Sequence, residues 1–369
     1  MRAVWRSALA AVFGCALIAA AEPHPVLPIG SQAPDFALPG VDGKIHRLSD
    51  YAASPILVIV FTCNHCPIAQ MYESRIQQLS DDYRDRGVAV VAIEGNAPNA
   101  IRVDELDSSD MSDTLREMKI RVAWKHLRYP YLYDGDTQSV TRAFGPQATP
   151  HVFIFDRERR LRYEGRVDNS YRTELVRTRD ARNAIDALLA GHPVAVTHTG
   201  VFGCSTKWKE KETSRIAALQ KIESQPVTLE SSSAAEVAKL LANSAGKLML
   251  LHFWTTSDTA QLADLETTYR MYSDRDLLFI TVCTDDGYKR AGAQRILEEQ
   301  HATSRNLFVS DHPVRPATLL IAPGGEVLYG QNGETDVLQL RRRILAALPS
   351  DYIGFNRYWT TQEPAPEQE

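Results

Sequence analysis

The segment Ile56-Leu57-Val58-Ile59-Val60-Phe61-Thr62-Cys63-Asn64-His65-Cys66-Pro67 sets the reading of the whole chain. Ile56–Phe61 is an unbroken apolar run rich in β-branched residues, the pattern of a strand covered on both faces. Ala69 to Tyr83 then reads as a helix, with Met71, Ile76 and Leu79 as its main apolar positions. Pro67 suits the first turn of that helix, where its missing N–H is no loss. Cys63 and Cys66 therefore fall where a strand runs into a helix. A helix start can bring such a pair together. It also aims free N–H groups and the positive end of the helix dipole at the first sulfur. That favours the thiolate, the attacking species, with a pKa somewhere in the range of roughly 3.5 to 7.5 open to such a cysteine. A protonated His65 pushes the same way. A stabilised thiolate means a stable reduced form and hence an oxidising disulfide. The strand Ile56–Thr62 carries no carboxylate, so it offers no buried proton acceptor.

Upstream, Phe36–Leu38 and Lys44–His46 read as short strands joined by a Gly-containing turn. Downstream, Val88–Ile93 is a second buried strand, 97–128 a polar insertion containing a helix, and Tyr131 to Phe144 a strand and a helix. Pro150 opens the strand Val152–Phe155, Leu161–Arg166 is its hairpin partner, and Thr173 to Leu189 is a closing helix. The order recurs. Leu248–Phe253 is a strand, Asp258–Tyr272 a helix, Leu277–Cys283 a strand and Tyr288 to Gln300 a helix. Pro316 then opens the strand Thr318–Ile321, Glu326–Tyr329 pairs with it, and Asp336–Leu348 is a helix. Phe61 aligns with Phe253, and Pro150 with Pro316. The expected fold class is α/β, two tandem copies of one unit with a central mixed sheet flanked by helices. The first unit is expected over 27–191 and the second over 227–350, with a linker at 192–226 and an acidic, disordered tail at 360–369.

The chain has 369 residues, long enough for two cores. With 44% hydrophobic and 24% charged residues, it is not a wholly disordered chain, a collagen-like fibre or a multi-span membrane protein. A net charge of −5 argues against a nucleic-acid partner held by bulk electrostatics. Five cysteines are too few for a disulfide-stapled miniature fold. Arg2 and Arg6 precede an uncharged, mostly apolar stretch from Ser7 to Ala21 that closes on Ala19-Ala20-Ala21. These are the parts of a signal peptide over residues 1–21. The expectation is export to an oxidising compartment, periplasmic or extracellular. Lipid attachment at Cys15 is the alternative, and membrane association is expected only through it.

Thr149-Pro150 forms the expected second half of the site. A proline opening a central strand is tolerated at a bend or an end. A cis bond would account for it and would set the Thr149 backbone against the sulfurs, where it can pair with an extended substrate. Together, Gly30, Ala33-Pro34-Asp35-Phe36, Leu38, Leu48-Ser49-Asp50-Tyr51, Cys63-Asn64-His65-Cys66-Pro67 and Thr149-Pro150 before Phe153-Ile154-Phe155-Asp156 carry a family resemblance. The chain resembles the redoxin branch of the thioredoxin superfamily, which holds alkyl-hydroperoxide-reductase-like proteins and exported thiol-disulfide oxidoreductases. The resemblance covers about residues 27–190. It implies a thioredoxin-like fold, Cys63 as attacking thiol, Cys66 as resolving thiol, a Cys63–Cys66 disulfide and Pro150 as the cis-proline of the substrate groove. It further implies protein thiols and disulfides as partners, and no organic cofactor, because the cysteines carry the electrons. Peroxide reductases resemble P-x-x-x-[ST]-x-x-C around their reactive cysteine. Here Ile56 and Val60 stand at the proline and hydroxyl positions, so disulfide exchange is expected ahead of thiol peroxidase activity. In the second unit Thr255-Thr256-Ser257-Asp258 replaces the cysteine pair, so that unit resembles a degenerate thioredoxin fold.

Each feature has a plainer alternative. The cysteine pair is also read as a structural staple in a non-enzymatic binding module, and His65 as a solvated loop residue. His151 could join Cys63 and Cys66 as a copper-handling set, or be a satisfied strand histidine. Cys204 has three readings: exchange with the first site, a bond to Cys283, or a free thiol. Cys283 is most simply a core residue. Lys207–Lys211 is most simply a solvated helix start.

Overall fold

The computed structural model describes residues 24–242, 246–311, 315–350 and 359. The expected signal peptide, Cys15 and the tail lie outside them. The chain opens with the hairpin of β1 (Ala37–Pro39) and β2 (Ile45–Arg47). It continues with β3 (Ile56–Thr62), α1 (Pro67–Arg84), β4 (Val88–Glu94), α2 (Leu115–Lys125), β5 (Tyr131–Tyr133) and α3 (Ser139–Phe144). Next come β6 (Ala148–Thr149), β7 (His151–Phe155), β8 (Leu161–Gly165) and α4 (Asp180–Leu189). The first main sheet has the order β5-β4-β3-β7-β8. Its strands β3, β4 and β5 are parallel, and β7 and β8 run against their neighbours.

The unbroken apolar run of β3 has a simple cause. Ile56, Val58 and Val60 face α1 and α4, against Ile76, Leu79 and Ile185. Leu57, Ile59 and Phe61 face the other way, against Phe144 and Phe153. Both faces are dry, so the period-two alternation of a one-sided strand is lost.

The remainder comprises β9 (Cys204–Ser205), α5 (Glu212–Glu223), β10 (Leu229–Ser232), α6 (Ala234–Ala242), β11 (Leu248–Trp254), α7 (Leu262–Tyr272) and β12 (Leu277–Thr284). It ends with α8 (Arg290–Glu299), β13 (Arg305–Val309), β14 (Ala317–Ile321), β15 (Val327–Asn332) and α9 (Val337–Ala347). The second main sheet runs β10-β13-β12-β11-β14-β15. Apart from the extra edge strand β10, it repeats the order and directions of the first sheet. The α/β expectation holds, with two successive mixed sheets flanked by helices. In the first sheet Phe61 pairs with His151, the residue after Pro150. In the second Phe253 pairs with Ala317, the residue after Pro316.

Several boundaries differ from the sequence reading. The closing helix of the first unit starts at Asp180 rather than Thr173. Thr173–Leu175 forms only a 3-10 turn, and Asn169 Oδ1 accepts the backbone N–H groups of Arg177 and Thr178 and so ties the chain between that turn and α4. Strands β10 and β13 were not expected; their short, partly polar sequences are recruited by pairing with each other and with β12. The expected linker is not a free joint over its first half. Thr197 and Thr199 hydrogen-bond to Glu164 of β8, and β9 pairs with β6. Lys207 is not solvated either. Its chain is buried and its Nζ lies 2.6 Å from Glu105 Oε1, an acid that offsets the cost of removing the ammonium from water. Among the described residues, no helix is long and apolar enough to cross a membrane.

The two sheets share an interface. Tyr272 Oη donates to Ser109 O at 2.7 Å, Arg275 Nη1 to Asp107 O at 2.8 Å and Arg341 Nη1 to Asp110 O at 3.2 Å. The fully buried Asp110 carboxylate meets Arg121 Nη1 at 3.1 Å and Arg342 Nε at 2.8 Å. The second unit thus grips residues 107–110 of the insertion of the first.

Candidate active site

Cys63 follows the last residue of β3, and Cys66 is the N-cap of α1 with Pro67 in its first turn. Both thiols are buried. The Thr149–Pro150 peptide bond is cis. Thr149 lies over the pair, with Thr149 Oγ1 3.0 Å from Cys63 Sγ and Thr149 O 3.5 Å from Cys66 Sγ. All four cysteines among the described residues are free thiols.

The position of the helix start differs from one expectation. The helix start addresses Cys66, not Cys63. Burial alone would push the Cys66 thiol up. Hydrogen bonds from the Cys204 and Cys63 thiols, the His65 charge and the Ala69 N–H outweigh it and hold Cys66 well below the usual thiol range. Burial, the bond it gives to Cys66 and the charge of Asp113 push the Cys63 thiol well up. The physical reason is position: as N-cap residue, Cys66 stands nearest the unpaired N–H groups of the first turn.

His65 is not a solvated loop residue; it is 1% exposed. Its Nδ1 lies 2.6 Å from Asp113 Oδ2. Asp113 also accepts the backbone N–H groups of Asn64 and His65 at 2.9 Å each and Asn96 Nδ2 at 2.9 Å. Burial works against the charge on His65, but the Asp113 carboxylate raises its pKa. Burial likewise opposes ionisation of Asp113, and the charge and hydrogen bond of His65 lower it nevertheless. His65 Nε2 is buried and has no hydrogen-bond partner. Cys63, His65 and Asp113 bring one potential metal-ligand atom each to within 4.8 Å of one another. Asp113 is already occupied by four hydrogen bonds, which argues against its use as a ligand.

The copper-handling set named from sequence is not assembled. His151 Nε2 lies 2.8 Å from Glu164 Oε2, and its Nδ1 accepts the Gln147 N–H at 3.2 Å. Both ring nitrogens are therefore spent on the protein, as in a satisfied strand histidine. Cys283 is fully buried in the core of the second unit, and burial pushes its thiol up to about 12. A hollow of about 360 Å³ lies in the second unit between Val237, Phe253 and Leu319.

Two participants escaped the sequence reading, and the seat of a third, Cys204, was left open by it. Asp113 comes from the insertion, which composition marks only as polar. Glu94 ends β4 opposite Thr62 and is fully buried. Burial and the Asp113 charge raise its pKa well above the usual carboxylate range. The strand carrying the cysteines offers no acid, but its neighbour does. The signal was visible: a carboxylate directly after the apolar run Val88–Ile93 is poorly explained by an exposed strand end. The third is the strap 203–207. Cys204 pairs with Thr149 across the β6–β9 ladder, and its N–H donates to Cys66 Sγ at 3.2 Å. Lys207 N donates to Asn96 Oδ1 at 2.8 Å, so Asn96 ties the strap to Asp113.

Known proteins share this region. Residues 29–164 match the AhpC/TSA family model. The thiol-disulfide oxidoreductase ResA of Geobacillus thermodenitrificans (strain NG80-2) is 24% identical over 136 residues, which are 36% of this chain and 67% of that protein. Two solved structures also align. A hypothetical protein from Sinorhizobium meliloti 1021 is 34% identical, covers 50% of this chain and 97% of its own, and has a TM-score of 0.45. An uncharacterized conserved protein from Geobacillus kaustophilus is 37% identical, covers 49% of this chain and 93% of its own, and has a TM-score of 0.43. Through the unit that holds the cysteine pair, this chain is similar to the AhpC/TSA family.

Proposed function

We propose that this protein is an exported thiol-disulfide oxidoreductase that exchanges disulfides with other proteins through Cys63 and Cys66. The carrying observation is the pair of buried sulfurs at the start of α1, with donors converging on Cys66 and the Thr149 backbone beside it. The family supports a redoxin chemistry, and the two-cysteine spacing selects disulfide exchange within it. Export rests on the Arg2 to Ala21 sequence.

Cys63 attacks a partner disulfide after its proton passes to Cys66, to which it is already hydrogen-bonded. A mixed disulfide forms, and the departing partner thiolate takes the proton from Cys66, which restores the Cys66 anion. Cys66, whose anion the helix start favours, then attacks Cys63 Sγ. The second partner thiol leaves and the Cys63–Cys66 disulfide remains. Oxidation of a partner runs the same steps backwards. Buried Glu94, whose pKa is raised by burial and whose charge acts on the Cys63 thiol, is placed to take up or return a proton there.

Dithiothreitol-driven reduction of insulin by the mature chain tests this reading. Turnover by the wild type, falling to background in Cys63→Ser and in Cys66→Ser, is the expected result. Undiminished turnover in both variants would overturn it.

A further inference from the structure

The groove beside Thr149 is where an extended substrate was expected to pair. It is already filled by the chain itself. Cys204 and Ser205 form an antiparallel ladder with Thr149 and Ala148. The strap is anchored on both sides. Phe202 packs near the Tyr72 ring, and Thr206 donates to Pro146 O at 2.6 Å through its hydroxyl and to Gln147 O at 3.2 Å through its N–H. Gly203 has φ +136°, and a Cβ there would lie 2.0 Å from Thr149 O, so the close approach needs a glycine. Cys63 and Cys66 lie beneath this cover, whereas Cys204 is partly exposed. The backbone of Cys204 is in direct contact with Cys66 Sγ.

We propose that Cys204 is a third redox-active cysteine, which carries the disulfide between the buried pair and a partner protein. The proposal rests on the exchange reading above, which supplies the first disulfide from a protein disulfide. The Cys204 thiolate attacks Cys66 Sγ. The Cys66–Cys204 bond forms, the Cys63–Cys66 bond breaks, and Cys63 leaves as a thiolate that takes up the proton Cys204 lost. No net oxidation occurs in this step. A partner thiolate then attacks Cys204 Sγ and Cys66 leaves. A second partner thiol displaces Cys204, so the partner gains a disulfide and Cys66 and Cys204 end as thiols. The strap is thus a built-in substrate strand that moves the reactive bond to the surface.

The test is disulfide mapping of the full mature chain oxidised with diamide, acid-quenched, alkylated, digested and read by mass spectrometry. In Cys63→Ser, the Cys66–Cys204 crosslink is expected as the main product. In the wild type, it is expected beside Cys63–Cys66. In Gly203→Ala, which unseats the strap, its share should fall while Cys63–Cys66 persists. Complete alkylation of Cys204 in both oxidised wild type and Cys63→Ser would overturn the proposal, as would a crosslink from Cys204 to Cys63 instead of Cys66. Failure of the underlying reading looks different: Cys204→Ser would then form no Cys63–Cys66 disulfide at all.

Discussion

The two sheets have the same strand order, yet the loops after their central strands are built for different ends. Register makes the positions comparable. Thr62 pairs with Glu94 in the first sheet, and Trp254 pairs with Cys283 in the second. Thr255–Asp258 therefore stands where Cys63–Cys66 stands, and Cys283 where Glu94 stands. Both loops have backbone N–H groups held by an aspartate. In the first, Asp113 arrives from a distant insertion, wholly buried and paired with His65. In the second, Asp285 lies just beyond β12, accepts Thr256 N at 2.7 Å and pairs with the partly exposed Lys289. Helix α1 starts at Pro67, directly after Cys66, whereas α7 starts only at Leu262, beyond Asp258. The second loop thus lacks the sulfurs, the adjoining helix end and the buried acid. The same strand order thus frames two differently built loops, and function resides in what the loops hold.

The second unit still serves the first. It grips residues 107–110, only a few positions before Asp113. The largest stability effect is expected here. Asp110→Ala leaves Arg121 and Arg342 facing an interior that has lost a shared carboxylate, at a cost of about 3–5 kcal/mol. Urea unfolding measures it. A loss well under 1 kcal/mol would mean that the interface is incidental and the two units are independent.

The next effect is electrostatic and sharpens what Asp113 adds that Asp285 does not. The Asp113 pKa is lowered in the fold, so its contribution to stability is present above the ordinary aspartate range and is lost as pH falls through the lowered value. The His65 pKa is raised, so its contribution is present below the ordinary histidine range and is lost as pH rises through the raised value. The pair stabilises most between those two ordinary ranges. Asp113→Asn removes the partner charge, and burial then leaves the imidazole neutral. Cys66 loses the favourable His65 charge, so its thiolate absorbance should appear at higher pH than in the wild type. An unmoved titration would show that His65 does not tune the sulfur.

How much of this was legible follows from which forces were local. The run Ile56–Phe61 announced a doubly buried strand because burial on both faces removes polar residues altogether. Pro67 and the cysteine spacing announced the helix junction for equally local reasons. Sequence spacing alone does not tell which cysteine is the N-cap of the helix; in the fold it is Cys66. Asp113, Glu94 and the seat of Cys204 depend on tertiary contacts. Before folding, an aspartate in a polar insertion and a lysine in a charged run are indistinguishable from solvated residues. Asn96, which binds both Asp113 and the Lys207 N–H, joins insertion and strap in one site.

The smallest expected effect is the most direct challenge to the comparison. Restoring the sulfurs to the second loop, as Thr255→Cys with Asp258→Cys in a Cys63→Ser background, should give insulin turnover no higher than Cys63→Ser alone. The new cysteines would precede α7 by several residues, so no first-turn N–H would favour a thiolate at the second of them. Cys283 would stand in place of a buried carboxyl group, with its own thiol pushed up to about 12 by burial and unable to pass protons near neutrality. Recovered turnover would show that the sheet and two sulfurs suffice. It would demote Asp113, His65 and Glu94 from working parts of the site to its surroundings.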